Sequence, residues 1–175
     1  MNIANEYLRT ATINFRMYKG LADKAFAQLE EKDFHYKIDK ESNSIAIIIQ
    51  HINGNARSRF TDFFTSDGEK PSRNRDSEFE EQKLSKAELI ELWEQGWNIL
   101  FDLLYNIKED DLLKTVHIRG EAHTALEALN RQVAHYAYHS GQIVMIAKHI
   151  KGDKWNSLSI PKGKSAEFNT KMAGK

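Results

Sequence analysis

Residues 43–65 read NSIAIIIQHINGNARSRFTDFFT, and the state of Ile45–Ile49 decides the fold class. A β-branched run of this kind suits a buried strand. Beyond it, however, the apolar positions Ile45, Ile48, Ile52, Ala56, Phe60 and Phe63 recur at spacings of three and four, which is one face of a helix. No second apolar run offers a strand to pair with. The segment therefore reads as a helix over about Ile45–Thr65, capped by Ser44 or Asn43.

The same reading extends outward. Ile3, Tyr7, Ala11, Phe15, Tyr18, Ala22, Ala25 and Leu29 mark a first helix over Ile3–Leu29, followed by the polar stretch 30–44. Ser85–Lys86–Ala87–Glu88 is a capping box that opens a third helix to about Asn106 through Leu89, Leu92, Trp93, Gly96, Leu100 and Leu103. Thr124–Ala125–Leu126–Glu127 is a second capping box, opening a helix that Gly152 ends after Lys151. Residues 66–84 form a charged loop, the HIRGEAH segment (117–123) another, and residues 153–175 an irregular tail with Trp155, Leu158 and Ile160 as docking points. Pro71 and Pro161 both fall in these connections, away from the helices. Four long helices without convincing strands predict an all-α fold, a four-helix bundle in one domain spanning 1–175. Its long connections allow crossovers, so a simple up-down-up-down order is not implied. Gly96 predicts a close helix approach, and Trp93 and Trp97 predict a packed core or a homodimer interface.

Composition narrows the function classes. Lysine plus arginine number 25, as do aspartate plus glutamate, so no net field recruits nucleic acid or an anionic membrane. The absence of cysteine removes disulfides, thiolate nucleophiles and cysteine zinc ligation, and fits a reducing cytoplasm. The first residues lack a secretory pattern, and the run Ile45–Ile49 is too short to span a bilayer. A cytoplasmic, soluble protein is expected.

Chemistry concentrates on histidine. In AHYAYHSGQ (134–142), His135 and His139 lie one helical turn apart, about 40° apart around the axis and about 6 Å along it. Among seven histidines such a pair arises by chance often enough that a third ligand is required. His51, in the middle of the second helix and one position off its apolar line, can supply it. Three imidazoles would hold a divalent ion such as Zn, Ni or Fe and leave a coordination position open. The competing reading has these histidines satisfied by Gln50, Gln132, Gln142 or backbone carbonyls. His149 lies about 15 Å along the axis from His139, too far to share an ion, while His35, His117 and His123 fall in loops. Tyr136 and Tyr138 point away from the pair.

Three stretches carry a family resemblance: NSIAIIIQHINGNARSRFTDFFTSDGEKPSRNRDSEF, IRGEAHTALEALNRQVAHYAYHSGQIV and WNSLSIPKGKSAEFN. Together with a mid-helix histidine followed by His-x-x-x-His, they resemble the DinB-like superfamily of metal-binding bundles, which includes bacillithiol and mycothiol S-transferases. The closest resemblance is to a branch without an assigned activity. It implies a bundle of crossed-over helix order with a divalent metal on His51, His135 and His139. Superfamily members with known activity transfer low-molecular-weight thiols to electrophiles or isomerise thiol conjugates, so transfer of such a thiol to a small electrophile is an expectation from the superfamily and not from the branch. Catalytic residues are not identified by it.

Around such a site, Asn55, Gln132 and Gln142 are candidates to orient imidazoles or bind substrate. Arg59 and Arg119, with Arg57, Arg73, Arg75 and Arg131, are candidates for a carboxylate-bearing thiol. Alternatively the arginines pair locally, Arg73 and Arg75 with Asp76, Glu78 or Glu80, and Arg119 with Glu121. A non-catalytic metal-binding or small-molecule-binding stress-response module is the alternative function. A metal-dependent hydrolase is weaker, because the carboxylates nearest the histidine pair, Glu121 and Glu127, make poor candidate bases.

Overall fold

The computed structural model describes residues 2–174. Its long helices are α1 (Ile3–Phe26), α3 (Ile45–Phe60), α4 (Lys86–Asn106) and α5 (Ala125–Lys151); α2 (Glu31–Phe34) and α6 (Ser165–Ala173) are short. Each long helix begins where a side chain satisfies its free N–H groups. Asn2 accepts from the Asn5 amide, Ser44 from Ile47, Ser85 from Glu88 and Thr124 from Glu127, the last two as full capping boxes.

α3 packs chiefly on α4 and α1 chiefly on α5, while α3–α5 and α1–α4 contacts close the ring. Helices α1 and α3, successive long helices in the chain, thus lie diagonally across the bundle. The order is crossed over, as the long connections permit. The core is a run of aromatic rings: Phe15, Phe26, Phe34, Trp93, Trp97 and Tyr136 are all buried, with edge contacts such as Phe15–Tyr136 at 5.8 Å and Trp97–Tyr136 at 5.0 Å. The two tryptophans therefore fill the core. A Cβ on Gly96 would sit 3.1 Å from the Asn53 Cα, so glycine here is what lets α4 come this close to α3.

The structure corrects four expectations. The first helix ends at Phe26 and the second at Phe60, each short of the apolar stripe's last residue; Asp62, with φ 50°, turns the chain away after α3. The HIRGEAH segment lies in a hairpin, β1 (Thr115–Ile118) paired antiparallel with β2 (Glu121–Thr124). Arg119 (φ 58°) and Gly120 (φ 78°) make its two-residue turn, and alternation buries Val116 and Ile118. Four-residue strands leave too short a pattern to stand out in the sequence. The charged loop holds a 3₁₀ turn at Asp76–Phe79. Finally, the tail is not irregular throughout: it holds a 3₁₀ turn at Gly152–Lys154 and the exposed helix α6. Trp155 and Leu158 pack on the core, whereas Ile160 is exposed. Among the described residues no helix is long and apolar enough to cross a membrane.

Candidate metal centre

α3 is buried along nearly its whole length, but its two halves differ. Ile45–Ile49 are apolar, while Gln50, His51, Asn53, Asn55, Ser58 and Arg59 are polar and equally covered. Buried polar groups need partners, and these come from α5, from the charged loop and, for Asn53, from the Leu92 carbonyl of α4. His51 faces His135 and His139 of α5, and one ligand nitrogen from each of the three lies within 4.8 Å of the others. The Nε2 atoms of His51 and His135 are 3.2 Å apart, those of His139 and His135 3.0 Å.

Each Nδ1 is tied to an oxygen: His51 to Glu78 Oε2 at 2.9 Å, His135 to Gln132 Oε1 at 3.1 Å and His139 to Gln142 Oε1 at 2.8 Å. The Gln132 amide is held in this orientation because its NH₂ donates to Asn55 Oδ1 at 2.6 Å; that of Gln142 donates to the Tyr138 hydroxyl at 3.0 Å. With acceptors on all three Nδ1 atoms, the protons sit there and the three Nε2 lone pairs face one another. His135 and His139 resist a second proton. Burial above all, then repulsion by His139 and His51, pushes His135 down to about 3, and burial with repulsion by His51 pushes His139 down to about 4.

Converging imidazole lone pairs fit a divalent metal. Metal–nitrogen bonds of about 2.0–2.1 Å would set the nitrogens about 2.9 Å apart at right angles and about 3.3 Å apart at the tetrahedral angle. The observed 3.0 and 3.2 Å fall between these limits. Among the described residues no fourth His, Cys, Asp or Glu joins the set, so a bound ion keeps positions for other ligands. His51 and His135 also line a pocket of about 210 Å³ with Asn55, Gln132, Arg59, Arg73, Arg75, Arg119 and Arg131.

The residue the sequence reading missed as part of the site is Glu78. It sits in the 3₁₀ turn of the charged loop, buried, with both oxygens engaged. Arg73 donates to them at 2.7 and 2.8 Å, and His51 Nδ1 to Oε2. Burial alone would raise its pKa, yet these hydrogen bonds from His51 and Arg73 outweigh burial and hold Glu78 below the usual carboxylate range. Gln50 fastens the same turn by donating to the Glu78 and Glu80 carbonyls, and Phe79 lies against the His51 ring at 4.9 Å. Gly54 makes room: a Cβ there would collide with the Glu78 carboxylate. A glycine inside a helix was the one legible signal that something approaches that face closely.

The other residues singled out by the sequence divide. Arg59 donates to the Gly68 carbonyl and pairs with Glu69, and Arg119 pairs with Glu69 at 3.2 Å, not with Glu121. The hairpin turn brings Arg119 to that carboxylate across 50 residues of sequence. Arg57 donates to Asn53 and Gln95, and does not line the pocket. Glu127 is occupied in its capping box and Glu121 is largely exposed, so neither approaches the role of a base. Tyr136 is fully buried in the aromatic core; Tyr138 is exposed but reaches back to Gln142.

Comparison with curated proteins found no match, and comparison with solved structures found none either. The chain does match one protein family over residues 2–164, nearly its whole length, and it belongs to that family, DUF1572, described as a protein of unknown function.

Proposed function

We propose that this protein binds a divalent metal through His51, His135 and His139 and uses it to transfer a low-molecular-weight thiol to a small electrophile. One observation carries the reading: three Nε2 lone pairs converge at the edge of an open polar pocket, with every Nδ1 proton tied away from the centre. The resemblance to DinB-like thiol transferases supports the choice of reaction. When bound, a divalent metal would favour the thiolate form of a coordinated thiol.

The chain's own residues do the rest. Glu78, Gln132 and Gln142 hold the Nδ1 protons, which fixes the three imidazoles in rotation with Nε2 toward one another. Asn55 and the arginines orient the cosubstrate in the pocket. With no cysteine in the chain, the sulfur nucleophile comes from the thiol itself. That thiol gives up its proton to water, one sulfur–carbon bond forms, and the electron pair of the bond that breaks leaves with the electrophile's departing group. Hydrolysis is disfavoured because Glu78, the carboxylate hydrogen-bonded to these histidines among the described residues, has both oxygens engaged.

Metal analysis of the purified chain should find stoichiometric divalent metal, lost in each of His51→Ala, His135→Ala and His139→Ala. Unchanged content in all three would end the metal reading. A panel of small thiols with a chromogenic electrophile then tests transfer. A fully loaded protein that is inert across the panel replaces the enzyme with a non-catalytic metal-binding or ligand-binding module.

A further inference from the structure

Beside the histidines the pocket is walled by guanidinium groups. Arg59 comes from α3, Arg73 and Arg75 from the charged loop, Arg119 from the hairpin turn and Arg131 from α5. The chain as a whole carries no net charge, so this concentration is a matter of placement. The carboxylates available nearby do not balance it. Glu69 is shared by Arg59, Arg73 and Arg119 at 3.2–3.4 Å, and Glu78 is taken by Arg73 and His51. Asp67 accepts the backbone amides of Glu69, Arg119 and Gly120. Even with Asp67 counted, five guanidinium groups face three carboxylates.

The surplus falls on two residues. Among the described residues, Arg75 and Arg131 form no ion pair and no hydrogen bond through their side chains; Arg75 only lies over the Phe79 ring at 5.0 Å. Arg59 is buried in the same wall, and that burial, with Arg73, Arg119 and Arg131 nearby, outweighs the pull of Glu69 and disfavours its charge. The Asn55 amide adds a neutral donor, since its oxygen accepts from Gln132 and its NH₂ has no partner among the described residues.

We propose that this wall is an anchoring site for the carboxylates of a small dicarboxylate-bearing ligand, gripped by Arg75 and Arg131 with Asn55 beside them. Planar forks on side chains match carboxylate edges two bonds at a time. The usual phosphate cradle of helix N-terminal or glycine-loop amides is missing from the lining, which comes mostly from the middles of α3 and α5. That the ligand is the thiol cosubstrate rests on the transferase reading; the anion site itself does not.

The test is calorimetric titration of the full chain with succinate, acetate and inorganic phosphate, on zinc-loaded and on chelator-treated protein. Arg75→Gln and Arg131→Gln are exposed substitutions that leave the fold intact. Saturable succinate binding is expected, weakened roughly tenfold by each variant, with acetate weaker by a similar factor. No saturable succinate binding, binding indifferent to both variants, or phosphate binding as tight as succinate would each overturn the proposal. The two readings fail separately. Variant-sensitive succinate binding that survives chelation keeps the anchor even if the metal has no catalytic use. Metal retained without succinate binding removes the anchor and leaves the metal site standing.

Discussion

The two halves of α3 are equally buried and built from opposite materials. Ile45–Ile49 and Ile52 pack into the apolar and aromatic core, where covering carbon surface stabilises the fold. From His51 to Arg59 the same helix turns mostly polar groups inward, and each of the three histidines ends up with an oxygen on one ring nitrogen and another histidine on the other. Apolar burial is tolerant, since many shapes fill a core. Polar burial is not, because each group costs stability unless its partner is in place. A chain that buries this much polarity at one end of a bundle is maintaining an arrangement that stability alone does not require.

The largest expected effect lies in the aromatic core that the apolar half of α3 joins, at Trp97 of α4. Trp97→Ala should cost about 3–5 kcal/mol of stability, read as a lowered denaturant midpoint. A loss under about 1 kcal/mol would mean the aromatic core is not the main support of the bundle. In the polar half the expectation inverts: Glu78→Gln should weaken metal affinity by about 10–100-fold in chelator competition while moving the denaturation midpoint much less than Trp97→Ala does. If affinity held while stability fell, Glu78 would be a structural clip for the loop and not a support for His51.

Gly54→Ala tests the same contact from the other side. Its added methyl meets the Glu78 carboxylate, so it should reproduce the affinity loss of Glu78→Gln in direction, at about tenfold. The control is Gly141→Ala on α5, where a Cβ would meet nothing within 4 Å. That change should stabilise by about 0.5–1 kcal/mol through helix propensity and leave metal affinity alone.

The smallest effect concerns Asp67, whose carboxylate is held down to about 2 by the backbone amides of Glu69 and Gly120, with Arg119 helping. A carboxylate depressed in the folded state contributes its stability above its unfolded value of 3.8, and loses it as pH falls toward about 2. Asp67→Asn should therefore flatten the acid limb of a thermal-melting profile between those values. An unchanged limb would show that the hairpin turn does not depend on this cap.

Legibility in the sequence followed distance along the chain. Helix starts were readable because Ser85–Glu88 and Thr124–Glu127 are local devices. Helix α3 was readable over its strand-like run because Ile52 and Ala56 continue a helical spacing. The hairpin was not, since its strands are four residues each and pair only with one another. Glu78 was assigned only a local pairing with arginine, which Arg73 does make; its bond to His51 spans 27 residues through a loop with no periodicity to follow.

By itself, then, the sequence determined the four long helices, the capping boxes that open α4 and α5, and the one-turn spacing of His135 and His139, because hydrogen bonds and side-chain periodicity within a helix depend only on near neighbours. Only the tertiary structure decided that His51 meets that pair across 84 residues, that Glu78 and two glutamines take the Nδ1 protons, and that five arginines share one pocket. Those contacts depend on how α3 and α5 are set against each other and where the loop returns. No local pattern encodes that placement.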